Sequence, residues 1–169
     1  MEELLKFGKL NNDLIVVVPK VANFKLAFSF KELINKIEEF NNMILFMAET
    51  NYFDSSFIGA LIYVTMKINK EKSKKLIVYG NDYVEEIFNK YSINDFFIIK
   101  KDIFEVKDII LNEIKIPSYD DLKYLKSVLE DHKILSTISK ENYENFKLLI
   151  ESLEKEIEKK EKEEENNDK

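Results

Sequence analysis

The stretch Met43–Lys67, MILFMAETNYFDSSFIGALIYVTMK, decides how the chain is read. Its start, Met43–Ala48, is a nearly unbroken apolar run, as a strand covered on both faces of a sheet requires. A polar corner follows, Thr50-Asn51-Tyr52-Phe53-Asp54-Ser55-Ser56. A helix is predicted from near Ser56, because Ile58, Leu61, Ile62, Thr65 and Ile68 recur at helical spacing. Asp54, Ser55 and Ser56 therefore fall where a strand hands over to a helix, an edge of α/β folds at which function collects.

Outward from this stretch, strand and helix signals alternate. Leu4–Leu10 and Leu14–Val18 flank the turn-forming trio Asn11-Asn12-Asp13 and read as a hairpin, closed by Pro19. Ser29 with Glu32 reads as a capping box, opening a helix that runs to about Phe40. Beyond the motif helix, Glu71–Lys75 reads as a charged turn and Leu76–Tyr79 as a short strand closed by Gly80. Asn81 or Asp82 caps a helix with Val84, Ile87, Phe88 and Tyr91, and Phe96–Ile99 is a last strand. Asp102 is read as the cap of a further helix carrying Ile103, Val106, Ile109, Ile110 and Ile114. The expectation is an α/β layer fold over residues 1–115, with about four to five strands, mixed with a mostly parallel core, and packed helices.

Pro117 marks a boundary, because strand signals end there. Residues 116–157 read as an α-helical C-terminal extension. Its first helix is capped by Ser118 with Asp121 and contains Leu122, Leu125, Val128 and Leu129. Its second is capped by Ser139 and carries a heptad-like seam of Tyr143, Phe146, Ile150, Leu153 and Ile157. Residues 158–169 hold no apolar side chain and read as a frayed helix end or a disordered tail.

Composition narrows the function classes. There is no cysteine, so disulfides and thiolate zinc sites are excluded, and the single histidine, His132, rules out a histidine-cluster metal site. His132 is expected as a partly exposed helix residue. Three glycines leave no room for a glycine-rich nucleotide cradle. The net charge of −6 argues against a nucleic-acid partner. All basic residues are lysine, so bidentate arginine clamps are absent. No apolar run approaches the roughly 18 residues of a membrane span, and the N-terminus lacks the build of a secretion signal. A cytoplasmic protein without cofactor or metal is expected.

An apolar strand followed by Phe53-Asp54-Ser55-Ser56-Phe57-Ile58-Gly59-Ala60-Leu61 resembles the signature of STAS domains, whose type members are the bacterial anti-sigma factor antagonists. The resemblance runs from about Leu5 to about Ile114. The family pattern has glycine directly after the second serine, where this chain has Phe57. Its second glycine is kept as Gly59. The resemblance implies a phosphorylation switch: Ser55 is the acceptor, with Ser56 the runner-up. The unphosphorylated protein binds an anti-sigma factor that is often also the serine kinase, and a metal-dependent serine phosphatase resets it. The implied partner face is the corner Asp54–Phe57 and the exposed side of the next helix, where Tyr63 and Lys67 lie. A phosphate at a helix N-terminus is held by unpaired N–H groups and the helix dipole, so the domain tolerates it while its surface becomes strongly negative.

Each of these residues also has a plainer reading. Ser55 reads as a helix cap, Asp54 as an Asx-type turn former and Gly59 as a helix-packing position. A phosphoaspartate receiver is disfavoured because no carboxylate follows the first central strand, which ends Val18-Pro19-Lys20-Val21. A hydrolase using Ser55 is disfavoured because the only histidine lies in the appended helices, and no enzyme is expected. The alternative function is a constitutive STAS scaffold, in which the Tyr143–Ile157 seam makes a homo-oligomer or partner contact.

Overall fold

The computed structural model describes residues 3–37, 39–70, 74–102, 105–118 and 120–167. The opening hairpin pairs β1 (Lys6–Leu10) with β2 (Asp13–Val17) in antiparallel register, Leu10 opposite Asp13. Asn11 and Asn12 both take positive φ, 50° and 66°, which asparagine tolerates and which matches the twist of a two-residue hairpin turn. Two parallel strands continue the sheet, β4 (Met43–Met47) beside β2 and β6 (Leu76–Gly80) beside β4. β7 (Ile98–Lys100) extends the parallel edge and β8 (Asn112–Glu113) pairs antiparallel with β1. Among the described residues the sheet order is β7-β6-β4-β2-β1-β8.

Alternate residues of the central strands, among them Leu14, Val16, Met43, Leu45, Met47, Leu76 and Val78, form one hydrophobic core with the helices. Those helices are α1 (Phe24–Lys36), α2 (Ser55–Asn69) and α3 (Asp82–Lys90). Beyond Pro117 come α4 (Asp121–Ser136) and α5 (Lys140–Asn167). They form an antiparallel hairpin, held by Lys126–Glu161 at 2.6 Å and Lys133–Glu154 at 2.7 Å. Phe146, Leu153 and Ile157 of the seam are buried, whereas Tyr143 is exposed. The hairpin folds back onto the domain, with α4 against α2 and α1.

The structure corrects three sequence expectations. α1 begins at Phe24, because the Asn23 side chain accepts from the N–H groups of Lys25 and Leu26. Ser29 lies inside this helix and donates to the Lys25 carbonyl one turn back, and the helix stops at Lys36, short of Phe40. α4 is capped by Asp120, which accepts from Lys123 N at 3.0 Å, not by Ser118 with Asp121. The helix predicted from Asp102 does not form. Residues 105–111 are irregular and lead into β8, and Ile103 of that prediction lies outside the described residues. The reason is Gly8: a Cβ there would stand 2.5 Å from the Ile110 carbonyl oxygen and 3.0 Å from the Ile109 side chain. The bare glycine lets this segment lie across β1, and Ile109 finds its contact there instead of on a helix face. α5 continues as helix through Asn167.

Candidate functional site

The corner is built by two very short strands. β3 (Val21–Ala22) and β5 (Tyr52–Phe53) pair in parallel, apart from the main sheet. Each leads directly into a helix, β3 into α1 and β5 into α2, so the two helix N-termini lie side by side. Asp54 uses this placement with both oxygens. Oδ1 accepts from Phe57 N and Oδ2 from Phe24 N, each at 2.9 Å, so one carboxylate caps two helices. Burial pushes the Asp54 carboxyl above the ordinary aspartate range, against the lowering pull of these N–H groups.

Because Asp54 does the capping, the Ser55 hydroxyl is left for another partner. That partner is His132 of α4: Ser55 Oγ lies 2.8 Å from Nε2. His132 Nδ1 lies 2.7 Å from the Val128 carbonyl oxygen, which can only accept. Nδ1 therefore carries the proton, Nε2 is the acceptor, and Ser55 donates. Burial pulls His132 below the ordinary histidine range, consistent with a neutral ring. The ring is 3% exposed and meets Phe146 of α5 edge to face, with centroids 5.1 Å apart. Phe146 in turn stacks on Tyr91, and Asn142 donates to the Tyr91 carbonyl, which ties α5 to the end of α3.

One turn along α2, Gly59 sets the approach of α4. A Cβ there would stand 2.5 Å from both Cβ and the carbonyl oxygen of Asp131. Asp131 is buried and reaches Lys31 of α1 at 2.7 Å; Lys31 also meets Glu130 at 2.9 Å and the Ser127 carbonyl at 3.3 Å. Burial pushes the Asp131 carboxyl up to about 7, and Lys31 pulls against that rise. At the other end of α4, Tyr124 packs against Phe24 and Phe28 of α1.

The expected site residues thus divide. Asp54, Ser55 and Gly59 meet at one seam beneath α4. Ser56 is 4% exposed and turned inward. Phe57, expected to present its ring to a partner, instead buries it completely and stacks it on Phe30 at 6.1 Å, so the ring does not crowd the outer surface of the corner. Tyr63 and Lys67 sit farther along α2, both bonded to Asn35 of α1. Tyr63 is half-buried, with the Lys31 ammonium 5.5 Å from its ring centroid, and Lys67 is exposed. His132, expected on a partly exposed helix face, is the residue that the sequence reading misplaced. The appended helices bring it to Ser55, which removes the ground on which a hydrolase was disfavoured. The pair has the polarity of a nucleophile and its base, but Phe57 N is already bonded to Asp54 and the imidazole is enclosed between Ser55, Val128 and Phe146. A cavity of about 480 Å³ opens elsewhere, by Leu4, Val17, Phe46 and Val106, with no corner residue in its lining.

Among the described residues there is no group of His, Asp or Glu side chains placed to hold a metal, and no helix long and apolar enough to cross a membrane. Fold and corner together define an α/β domain whose strand-to-helix corner is packed against an appended helix. The chain belongs to the STAS domain family, whose model matches residues 9–107. No curated protein matches the chain. The family is one of non-enzymatic interaction domains, found in anti-sigma factor antagonists and related proteins.

Proposed function

We propose that this STAS protein is a cytoplasmic interaction switch of the anti-sigma factor antagonist kind. It binds an anti-sigma factor that is also a serine kinase on the corner Asp54–Phe57 and the outer side of α2, and it lets go when Ser55 is phosphorylated. A serine phosphatase resets it. The observation that supports this reading most is the bond from Ser55 Oγ to His132: the acceptor position is the point at which a helix already docks on the domain. A phosphate there carries roughly −1.5 to −2 charges. It would stand beside Asp54 and close to the buried Asp131, facing a neutral imidazole, so a helix seated on Ser55 loses its contact to repulsion and desolvation.

The same bond favours a second reading. With α4 in place Ser55 is half-buried and its hydroxyl is engaged, as suits a constitutive scaffold whose corner is never modified. In that case Tyr143, Leu148 and Leu149, exposed on α5, are the side chains left for an oligomer or partner contact. Phosphopeptide mass spectrometry of protein isolated from its own cells, across growth and stress conditions, separates the two. Phosphate on Ser55 that varies with condition is expected; unmodified peptide throughout leaves the scaffold.

A further inference from the structure

We propose that the face formed by α1 and α2 is a receptor for an amphipathic helix that brings two adjacent carboxylates to Lys31, and that α4 is the resident occupant, which a partner helix of the same chemistry displaces. The proposal rests on the reading of the corner as a partner face and names the partner's chemistry.

Three features of the face set what it can accept. Ten of the fifteen residues of α2 are buried, so the helix is apolar on nearly every side and needs a cover on its outer face. Gly59 opens that face to close backbone approach. Lys31, 5% exposed, places an ammonium inside the contact, where acidic groups or carbonyls from the covering element are needed to give it hydrogen-bond acceptors. In α4 these are Glu130, Asp131 and the Ser127 carbonyl. A ligand helix must therefore present an acidic pair at this height and a hydrogen-bond acceptor for Ser55 about one residue further on, the place held by His132.

The fit of α4 is incomplete. Asp131 Oδ2 and Ser127 Oγ are buried in this contact without a hydrogen-bond partner in the protein. Unsatisfied buried polar atoms weaken a contact, so α4 is held less firmly than a fully satisfied helix would be and can exchange with a helix of the same pattern supplied in excess. Because α2 stays covered throughout, the event is an exchange of one helix for another and not an opening of the core.

The test uses the full chain and a fluorescein-labelled synthetic peptide of residues 120–138. Asp131→Asn with His132→Ala in the chain loosens α4 and leaves the receiving face intact. The peptide is expected to bind this variant at least about tenfold more tightly than the wild type, because α4 no longer holds most molecules in the closed form. Lys31→Glu added to the variant should abolish binding, and a peptide carrying Glu130→Lys and Asp131→Lys should restore it. Equal affinity for wild type and loosened variant, or indifference to Lys31, overturns the proposal. A second measurement covers loss of folding in the variant. In the wild type, excess peptide should raise hydrogen exchange in residues 121–136 while residues 55–69 stay protected; unchanged exchange in α4 overturns the proposal. Exchange of α4 in a chain whose Ser55 is never phosphorylated removes the switch and leaves the docking surface standing. Condition-dependent phosphate with no peptide exchange does the reverse.

Discussion

Ser55 and His132 are 77 residues apart in sequence and 2.8 Å apart in space. This contact joins the proposed acceptor, inside the family's matched residues, to a helix outside them. Ser55→Ala removes the only hydrogen that the neutral ring accepts and leaves Nε2 buried and unpaired, at a cost of roughly 1–3 kcal/mol by urea unfolding. In a pull-down with the cellular partner, Ser55→Ala is expected to bind about as well as wild type, since the resident α4 and the incoming helix lose the same contact. Ser55→Asp should bind less. Equal binding by both variants would remove the switch.

The same pair sets a pH dependence. The folded pKa of His132 is depressed below 6.5, so the folded state favours the neutral ring and the unfolded chain takes up the proton first. Its contribution is complete above 6.5 and is lost as pH falls from there through the folded value. Asp131 acts oppositely: its folded value is raised to about 7, so its contribution falls as pH rises from 3.8 towards 7. Comparing wild type with His132→Gln isolates the histidine. Between pH 7.5 and 5.5 the wild type should lose urea resistance relative to the variant. Parallel pH profiles would show that the ring does not titrate on unfolding.

Gly59 predicts a separable failure. With Gly59→Ala, the new methyl meets main-chain atoms of Asp131, which cannot swing aside as the end of a flexible side chain can. Overpacking of this kind costs about 1–3 kcal/mol. The cost should fall on the α4 contact, so hydrogen exchange should rise in α4 and α5 and stay unchanged in β2 and β4. Uniform loosening of the sheet would mean that the hairpin and the domain unfold as one unit.

Phe57 looks in sequence like a departure that blocks the surface of the corner, because the family pattern has glycine there. The ring instead points inward onto Phe30. Restoring the pattern with Phe57→Gly should therefore destabilise rather than repair. It empties a fully buried aromatic site, at a cost of about 3–5 kcal/mol or more, and adds the helix penalty of glycine. A variant as stable as the wild type would show that the core does not use the ring.

These cases show where the sequence was legible. The hairpin, the alternating strands and the motif helix followed from periodicity and turn chemistry, because local pattern and tertiary burial agree there. The helix expected from Asp102 failed because Ile103, Val106, Ile109 and Ile110 have helical spacing by coincidence, while the contact that decides the segment is with Gly8, about a hundred residues earlier. The cap of α1 was placed six residues late because the Ser29–Glu32 box is a valid local signal inside a helix that Asn23 had already begun. The cover over the corner had a visible sign. Phe57, Ala60 and Val64 fill the sides of α2 that Ile58, Leu61 and Ile62 leave, so the helix is too apolar to lie on a surface. That pattern says that something covers α2; it does not say that the cover is α4 or that His132 meets Ser55, since such pairing has no local signature.

Lys31 and Asp131 give the last prediction, because their pairing is buried and its charge state depends on pH. Breaking a buried pair by deleting one partner costs about 3–5 kcal/mol when the other charge is stranded. Asp131→Ala leaves the Lys31 ammonium with Glu130, the Ser127 carbonyl and the Tyr63 ring beside it, and should approach that range. Lys31→Met differs, because a carboxyl already raised to about 7 can take up a proton and become neutral. Without the lysine's lowering pull its folded value rises further. The wild type finishes losing the Asp131 contribution near pH 7, whereas Lys31→Met goes on losing it as pH rises beyond 7. The penalty of Lys31→Met, measured by urea unfolding against wild type, should therefore be small at pH 6 and larger at pH 8. A penalty that is the same at both pH values would mean that Asp131 keeps its charge without the lysine, and the acidic pair would then not be what Lys31 selects in a docking helix.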